Sequence, residues 1–432
     1  MTHYRERTAS LPFFSLSMLC GLLAVLLPLT VAAAETAPVV LPPSNGLQPE
    51  QIGIVVNDED PLSIDIGDYY QRMRGIPERN VVHVRLPKQN DIQPGEFAVQ
   101  KRLLDERLPP TVQALALTWA TPYRVGCMSI TSAFALGYDI RYCAQGCQLT
   151  ATSSYTDSRS TRPFDELKIR PTMAIAARSY DAARALIDRG IASDRTLPAG
   201  TAYLVETNDP ARSVRKVFFP DVQRVFGDML RIRSVQTQSI KDARDVMFYF
   251  TGLAEVPDID SNRYLPGAVA DHLTSLGGQL IGSTQMSALR WLEAGATGSY
   301  GTVVEPCAFT QKFPNPGLLL KHYLAGETLI EAYWKSVAMP GQGIFIGEPL
   351  ARPYAGYSVE QRNGRWYAGG PALETGSYEV FAADKADGPF ERVASSLQVM
   401  PLTRSLELPL PVRPFYRIQR IGGAANATPW LH

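Results

Sequence analysis

The chain has 432 residues, with 42 Lys plus Arg balanced by 42 Asp plus Glu. It is long enough for two domains and has no surplus positive charge to hold a nucleic-acid backbone, so nucleic-acid binding is disfavoured. Apolar residues at 45% and charged residues at 19% belong to an ordinary globular protein rather than a fibrous or disordered one.

The first residues carry processing information. A polar, basic start (His3, Arg5, Arg7) precedes the apolar run Leu16 to Val31, which closes on Ala32-Ala33-Ala34-Glu35. That is the layout of a secretory signal peptide, so residues 1–34 are expected to be cleaved after Ala34, leaving a periplasmic or secreted protein. Cys20 sits mid-run behind Ser17-Met18-Leu19, a poor setting for lipidation. No second apolar stretch approaches the ~20 residues that span a bilayer, so no stable membrane span is expected after cleavage. Residues 35–50, rich in Pro and small side chains, read as a linker.

From residue 51 the pattern alternates between short apolar runs and helical periods. Ile52 to Val56 is a buried strand, Asn57-Asp-Glu-Asp-Pro61 breaks it, and Ser63 to Arg74 is a helix that Asp60 or Ser63 can cap and Gly75-Ile-Pro77 ends. Val81 to Val84 is the next strand, completing a βαβ unit with a parallel pair. A helix near Pro94 to Glu106, a strand at Ala114 to Trp119, a strand at Met173 to Ala177 and a helix at Tyr180 to Ile191 continue the alternation. A strand at Thr201 to Val205, a helix at Val214 to Leu230 and a strand at Val246 to Phe250 extend it further, and a single helix is read over Pro316 to Val337. Residues 51–354 therefore read as an α/β domain with a mostly parallel sheet flanked by helices, caspase-like or flavodoxin-like. It is interrupted by a Cys-rich excursion over 123–161 that is too long for a simple connection. From Gly356 short alternating runs separated by Gly, Pro and Asp-Gly turns point to a small all-β sandwich over 355–422, followed by a tail over 423–432. Ala386 to Val393 with Pro414 to Ile418 resembles a fibronectin type III-like module.

Once the leader is removed, Cys127, Cys143, Cys147 and Cys307 remain. In an oxidising compartment these are disulfide candidates, with the pairing open; no His neighbours them, so a metal site is disfavoured and none is assigned. No cofactor is implied. Candidate site residues cluster where strands should end, since ligands of open α/β sheets sit at strand carboxyl ends. Cys307, behind Glu305-Pro306, reads as a nucleophile if an imidazole is near, or as a disulfide partner. Asp271-His272 with Thr274-Ser275 puts an acid, an imidazole and hydroxyls within five residues, or forms the capped start of a helix. Asn57 and Asp58 at the end of the first strand, and Gly252 at the corner after Phe248-Tyr-Phe-Thr, are ligand-binding candidates; turn and cap chemistry explains the first pair equally well. His83 reads as a strand-face residue and His322 as a surface residue. Trp291 and Tyr333-Trp334 read as core aromatics.

Several longer motifs resemble one family of exported bacterial proteins found in genomes that carry exosortase. They are Asn57-Asp58 with Pro61, Arg74-Gly-Ile-Pro-Glu-Arg-Asn-Val81, Leu265 to Gly278, and Gly298-Ser-Tyr-Gly-Thr-Val-Val-Glu-Pro-Cys307. The resemblance covers Gly53 to Tyr354. It implies a setting of surface-protein or exopolysaccharide export, with surface or exported proteins as partners, and no reaction. A fainter resemblance, in the order of Phe248 to Gly252, Gly295 to Thr302, Pro316 to Val337 and Gly343 to Leu350, is to gingipain-type cysteine peptidases of the caspase-like fold. In that family one strand ends in His-Gly and a later one in the nucleophilic Cys. Here Thr251-Gly252 stands at the first place and Gly267 to Ser275, without a Cys, at the second. Two functions are therefore expected to compete: a non-catalytic relative of these peptidases, and a cysteine-dependent hydrolase with a relocated site built from Cys307, Glu305 and His272.

Overall fold

The computed structural model describes residues 36–43, 45–400 and 403–422; the expected leader over 1–34 and tail over 423–432 lie outside the described residues. Ten strands form one mixed sheet. In chain order they are β1 (Ile52–Asn57), β2 (Val81–Val84), β3 (Ala114–Leu117), β4 (Thr172–Ala174), β5 (Thr201–Glu206), β6 (Arg231–Gln236), β7 (Val246–Thr251), β8 (Tyr264–His272), β9 (Gly298–Thr302) and β10 (Gly343–Gly347). Their spatial order is β6-β5-β7-β8-β9-β10-β4-β3-β1-β2. The block β6 to β9 is parallel throughout, as is the block β4-β3-β1-β2. Strand β10 runs antiparallel to β9 over five residue pairs and touches β4 at one, Ile346 with Ala174.

The loops fix how the blocks face. Asn90, beyond β2, donates to the Ile281 carbonyl, beyond β8, at 3.5 Å, so the carboxyl ends of both blocks lie on one edge. At the other edge Arg74, ahead of β2, binds Glu348, which follows β10, and Asp194. This buried cluster pins helix ends to the sheet. Strands β1, β3 and β7 are buried over their whole length, which is why they read as unbroken apolar runs rather than alternating ones.

The helices follow local chemistry. Helix α1 (Pro61–Arg74) is capped by Asp60, whose side chain accepts from Leu62 N, and ends at Gly75 in the left-handed region, φ 64°. Helix α2 (Pro94–Arg107) opens on Pro at the first turn, and α3 (Ile130–Leu136) is capped by Ser129. Helix α4 (Tyr180–Ser193) is capped by Ser179. Three expectations need correction. Val214 to Leu230 is a 3₁₀ turn over Ser213–Phe218 followed by α5 (Phe219–Phe226), because Pro220 sits best in a first turn. Residues 265–278 hold strand β8 rather than a helix around Asp271; α6 (Leu289–Glu293) comes only later. The expected helix over 316–337 is two, α7 (Pro316–Leu324) and α8 (Leu329–Lys335), broken where Gly326 takes φ 87° and the Thr328–Glu331 capping box starts anew.

The C-terminal part carries six strands, β11 (Ser358–Arg362), β12 (Arg365–Gly369), β13 (Gly376–Ala383), β14 (Glu391–Val399), β15 (Ser405–Glu407) and β16 (Phe415–Arg420). They form two small sheets that share a core of Trp366, Tyr378, Val380, Leu406 and Tyr416. Asn363 and Gly364, both at positive φ, make the two-residue turn between β11 and β12. The segment expected as a linker over 35–50 is not free: Val39–Val40 adds to β16 as a parallel strand, and Leu47 N donates to Glu331 at 2.9 Å. Its two valines supply the β-branched side chains that a sheet edge accepts.

Candidate functional site

The carboxyl edge of the sheet gathers most residues singled out in the sequence, and there the structure assigns them different work. His272 and Asp271 are neighbours on β8, so their side chains point to opposite faces. His272 is buried and both ring nitrogens are engaged: Nδ1 accepts from Trp291 Nε1 at 2.8 Å, and Nε2 faces the Met286 carbonyl at 3.0 Å. Burial, with Arg215 and Arg212 nearby, drives its pKa down to about 3, so the imidazole is neutral with no lone pair to spare for a substrate proton. Asp271 faces the other way and pairs with Arg215 at 2.5 Å, each side chain 1–2% exposed. Burial raises the Asp271 pKa and the guanidinium partly offsets this. The Arg215 guanidinium also donates to the carbonyls of Thr251, Asp271 and Pro314, so it stitches β7, β8 and the loop before α7 together.

Cys307 bonds to Cys147, and Cys127 to Cys143, each pair with Cα atoms 5.5 Å apart. This resolves the pairing left open by the sequence and takes the sulfur of Cys307 out of nucleophilic use. Glu305 is exposed, and its Oε1 accepts from Cys307 N at 2.8 Å, closing the turn that presents the disulfide. Gly252 is a packing glycine: a Cβ there would collide with the Arg212 carbonyl, and its own carbonyl accepts from Thr207 at 2.6 Å. Asn57 is fully buried and bonds the backbone of Leu86 in both directions at 2.9 Å, holding the loop after β2. Asp58 binds His83 at 2.6 Å on the surface. The edge thus brings Asp271, His272 and Gly252 close in space but aims none of them at a common reacting atom. Among the described residues no group of three His, Cys, Asp or Glu side chains is arranged to hold a metal ion.

Lys312, which the sequence reading passed over, lies beside this turn. It is fully buried, its Nζ has no hydrogen-bond partner among the described residues, and it sits 5.3 Å from the Phe309 ring. Burial lowers its pKa to about 8, against the pull of Glu305. A lysine whose folded pKa lies below its unfolded value makes stability rise with pH between those values. Lys312→Met should therefore raise the unfolding free energy at pH 7 by about 1–3 kcal/mol. It should also flatten the stability gain between about pH 8 and 10.5. Denaturant melts across that range read both effects, and a loss of stability at pH 7 would contradict the assignment.

Two cavities are lined by both acidic and basic side chains. One, of about 520 Å³, lies between the loops after β7 and β8 and is lined by Glu255, Asp258, Ser283, Gln285 and Arg290. The other, of about 450 Å³, lies between α7 and the C-terminal sheets. In its wall His322 is buried rather than on the surface, with Nε2 at 3.0 Å from Asp157 and Nδ1 at 3.1 Å from Glu327. Lys321 binds Asp157 at 2.6 Å and the fully buried Lys335 binds Glu327 at 2.8 Å. Burial opposes charge on both acids, yet their cationic neighbours hold Asp157 and Glu327 down at about 2. Burial likewise opposes the imidazolium, and the two carboxylates outweigh it to raise the His322 pKa. A raised histidine pKa gives stability that is full below about pH 6.5 and lost as pH climbs through the folded value. Unfolding free energy should accordingly fall as pH rises above about 6.5 in the native protein, and that fall should be smaller in His322→Gln; an unchanged slope would refute the imidazolium.

These features define a disulfide-bonded mixed α/β protein with a large helix-flanked sheet and a small β appendage, and among the described residues no thiol–imidazole pair is assembled. Among the described residues no helix is long and apolar enough to cross a membrane, and the two disulfides are compatible with an exported protein. No protein-family model matches the chain, and no curated protein matches it. A solved structure described as "Structure of Protease" is similar at a TM-score of 0.41 and 9% identity, over 82% of this chain and 93% of that one. A likeness at that level carries no argument about activity.

Proposed function

We propose that the protein is an exported, non-catalytic relative of caspase-like peptidases that binds a partner in surface-protein or exopolysaccharide export, the setting implied by its sequence motifs. The observation that carries this reading is the state of the two groups a thiol peptidase needs. The Cys307 sulfur is bonded to Cys147, and both nitrogens of His272 are engaged; a nucleophile–base pair requires both within reach of one another. Strands β7 and β8 are adjacent and parallel, as the two catalytic strands of the caspase-like fold would be. Their ends carry Thr251-Gly252 and His272-Leu273-Thr274 where the dyad would stand. For the C-terminal part the fibronectin type III-like reading is supported by Tyr416. Near the start of β16, its hydroxyl accepts from Arg413 N at 2.9 Å and donates to the Pro409 carbonyl at 3.2 Å, in the manner of a tyrosine corner.

The test is a photo-crosslinking residue placed at Thr284, in the crevice after β8, with the protein expressed in cells that export it. Covalent capture of a discrete exported protein, absent when the probe is moved to the exposed Val217, is the expected result. Labelling of the mature protein by thiol- or hydroxyl-directed activity probes, with turnover of peptide substrates, would instead make it an enzyme.

A further inference from the structure

We infer that the outward face of α2 is where two copies of this chain pair about a two-fold axis. The inference goes beyond the binding-protein reading and stands apart from it. Of the 14 residues of α2 only Phe97 and Leu104 are buried, so most of the helix faces outward. Along that face runs a groove of about 510 Å³, lined by Pro94, Phe97 and Ala98 of the helix and by Gly137 and Tyr138 after α3. At its margin Val99 is 47% exposed, and Ile140, two residues beyond Tyr138, is 62% exposed. Single exposed aliphatic side chains are ordinary; two beside an open apolar hollow are the parts of a self-complementary contact. A side chain that stands outside the hollow of its own molecule can fill that of a second copy.

The charges around the groove select that occupant. Its rim carries Lys101, Arg102, Asp105 and Glu106, two of each sign. Lys101 and Asp105 bind each other, and Asp105 also binds Arg170 at 3.0 Å. Arg102 and Glu106 are exposed, and neither belongs to an ion pair among the described residues. Four positions apart, they lie one above the other on the same side of the helix. When α2 packs antiparallel on its own copy, about an axis passing between these two residues, Arg102 of each molecule meets Glu106 of the other. Such an isologous contact closes after two subunits. A ligand whose head bears one sign gains little from a rim whose charges cancel. A second copy turned through the two-fold axis instead meets the opposite sign at both unpaired positions, which fixes register as well as partner.

Sedimentation velocity of the mature protein, run over a wide concentration range, tests the pairing with native protein, Arg102→Glu, Glu106→Arg, the double swap Arg102→Glu/Glu106→Arg, and Ile140→Asp. All three positions are exposed, so the variants keep the fold. The exposed Val217, replaced by Asp, is the control. The expected result is a reversible native dimer, left intact in Val217→Asp and lost in Ile140→Asp. Each single charge swap acts twice in a two-fold contact and sets like charges opposite one another, so it should weaken the dimer by about tenfold or more. The double swap restores opposite charges and should return the affinity towards that of the native protein. Three results overturn the inference: a native protein that stays monomeric at every concentration, which would leave the groove to another occupant; a dimer indifferent to the single swaps or to Ile140→Asp; or a dimer that the single swaps weaken and the double swap does not restore.

Discussion

Arg215→Met is expected to lower the unfolding free energy by about 3–5 kcal/mol, the cost of stranding a buried charge. Asp271→Asn should cost markedly less, about 1–2 kcal/mol. The asymmetry follows from what each partner keeps. Without Asp271 the guanidinium still donates to three backbone carbonyls, of Thr251 at 2.8 Å, Pro314 at 3.3 Å and Asp271 itself at 3.4 Å. Without Arg215 the Asp271 carboxylate is left at 1% exposure with no other donor among the described residues, and the Pro314, Asp271 and Thr251 carbonyls each lose one donor, the last keeping Leu273 N at 3.0 Å. Urea melts of the two single variants measure the difference directly. Equal costs, or a larger cost for Asp271→Asn, would mean that the carboxylate rather than the arginine organises the junction of β7 and β8.

The second large effect belongs to the long disulfide. Cys147 and Cys307 are 160 residues apart and Cys127 and Cys143 only 16. If each bridge acts by restricting the unfolded chain, opening the first should cost about 5 kcal/mol and opening the second about 3. The double replacement Cys147→Ser/Cys307→Ser should therefore be the more damaging. Its effect should also be local in the native state, because the bridge ties the excursion over 123–161 to the turn at Glu305. Amide exchange there, around Tyr142 and Gly341, which pack against each other, should accelerate before the rest of the sheet opens. A larger loss on opening Cys127–Cys143 would show that local packing of the excursion outweighs chain entropy.

Much of the α/β region was legible because several of its strands are buried on both faces. Ile52 to Val56, Ala114 to Leu117 and Val246 to Phe250 announce themselves as apolar runs, and the cap at Asp60 with the stop at Gly75 bounds the first helix. The edge strand β6 was not legible. Arg231-Ile-Arg-Ser-Val-Gln236 is largely exposed, and its two apolar residues are three apart, so neither a run nor an alternation marks it. Strand β8 was misread around Asp271 because an acid, an imidazole and hydroxyls in a row look like a helix cap. Only the partners, Arg215 on one face and Trp291 on the other, reveal a strand carrying polar groups into the core.

The functional candidates divided along the same line. Cys307 and His272 were visible as residue types, but their availability depends on partners 160 and 19 residues away, Cys147 and Trp291, which no local pattern encodes. The cluster of Asp157, His322, Glu327 and Lys335 was missed because its members come from two segments, and His322 beside Lys321 reads as surface. The spacing His322 to Glu327, across the helix break at Gly326, carried a signal that became readable only once that break was known. Lys312 was silent altogether: a single lysine in Thr310-Gln-Lys312 gives no hint that its amine is buried.

Among the described residues the carboxyl edge has no free thiol, and the direct measurement is alkylation of the mature protein under native, non-reducing conditions followed by peptide mass spectrometry. The expected result is no modified cysteine, with the Cys307 peptide recovered crosslinked to the Cys147 peptide and the Cys127 peptide to that of Cys143. Rapid alkylation of Cys307 at neutral pH, with Cys147 free or paired elsewhere, would restore a nucleophile to the end of β9 and contradict the binding-protein reading.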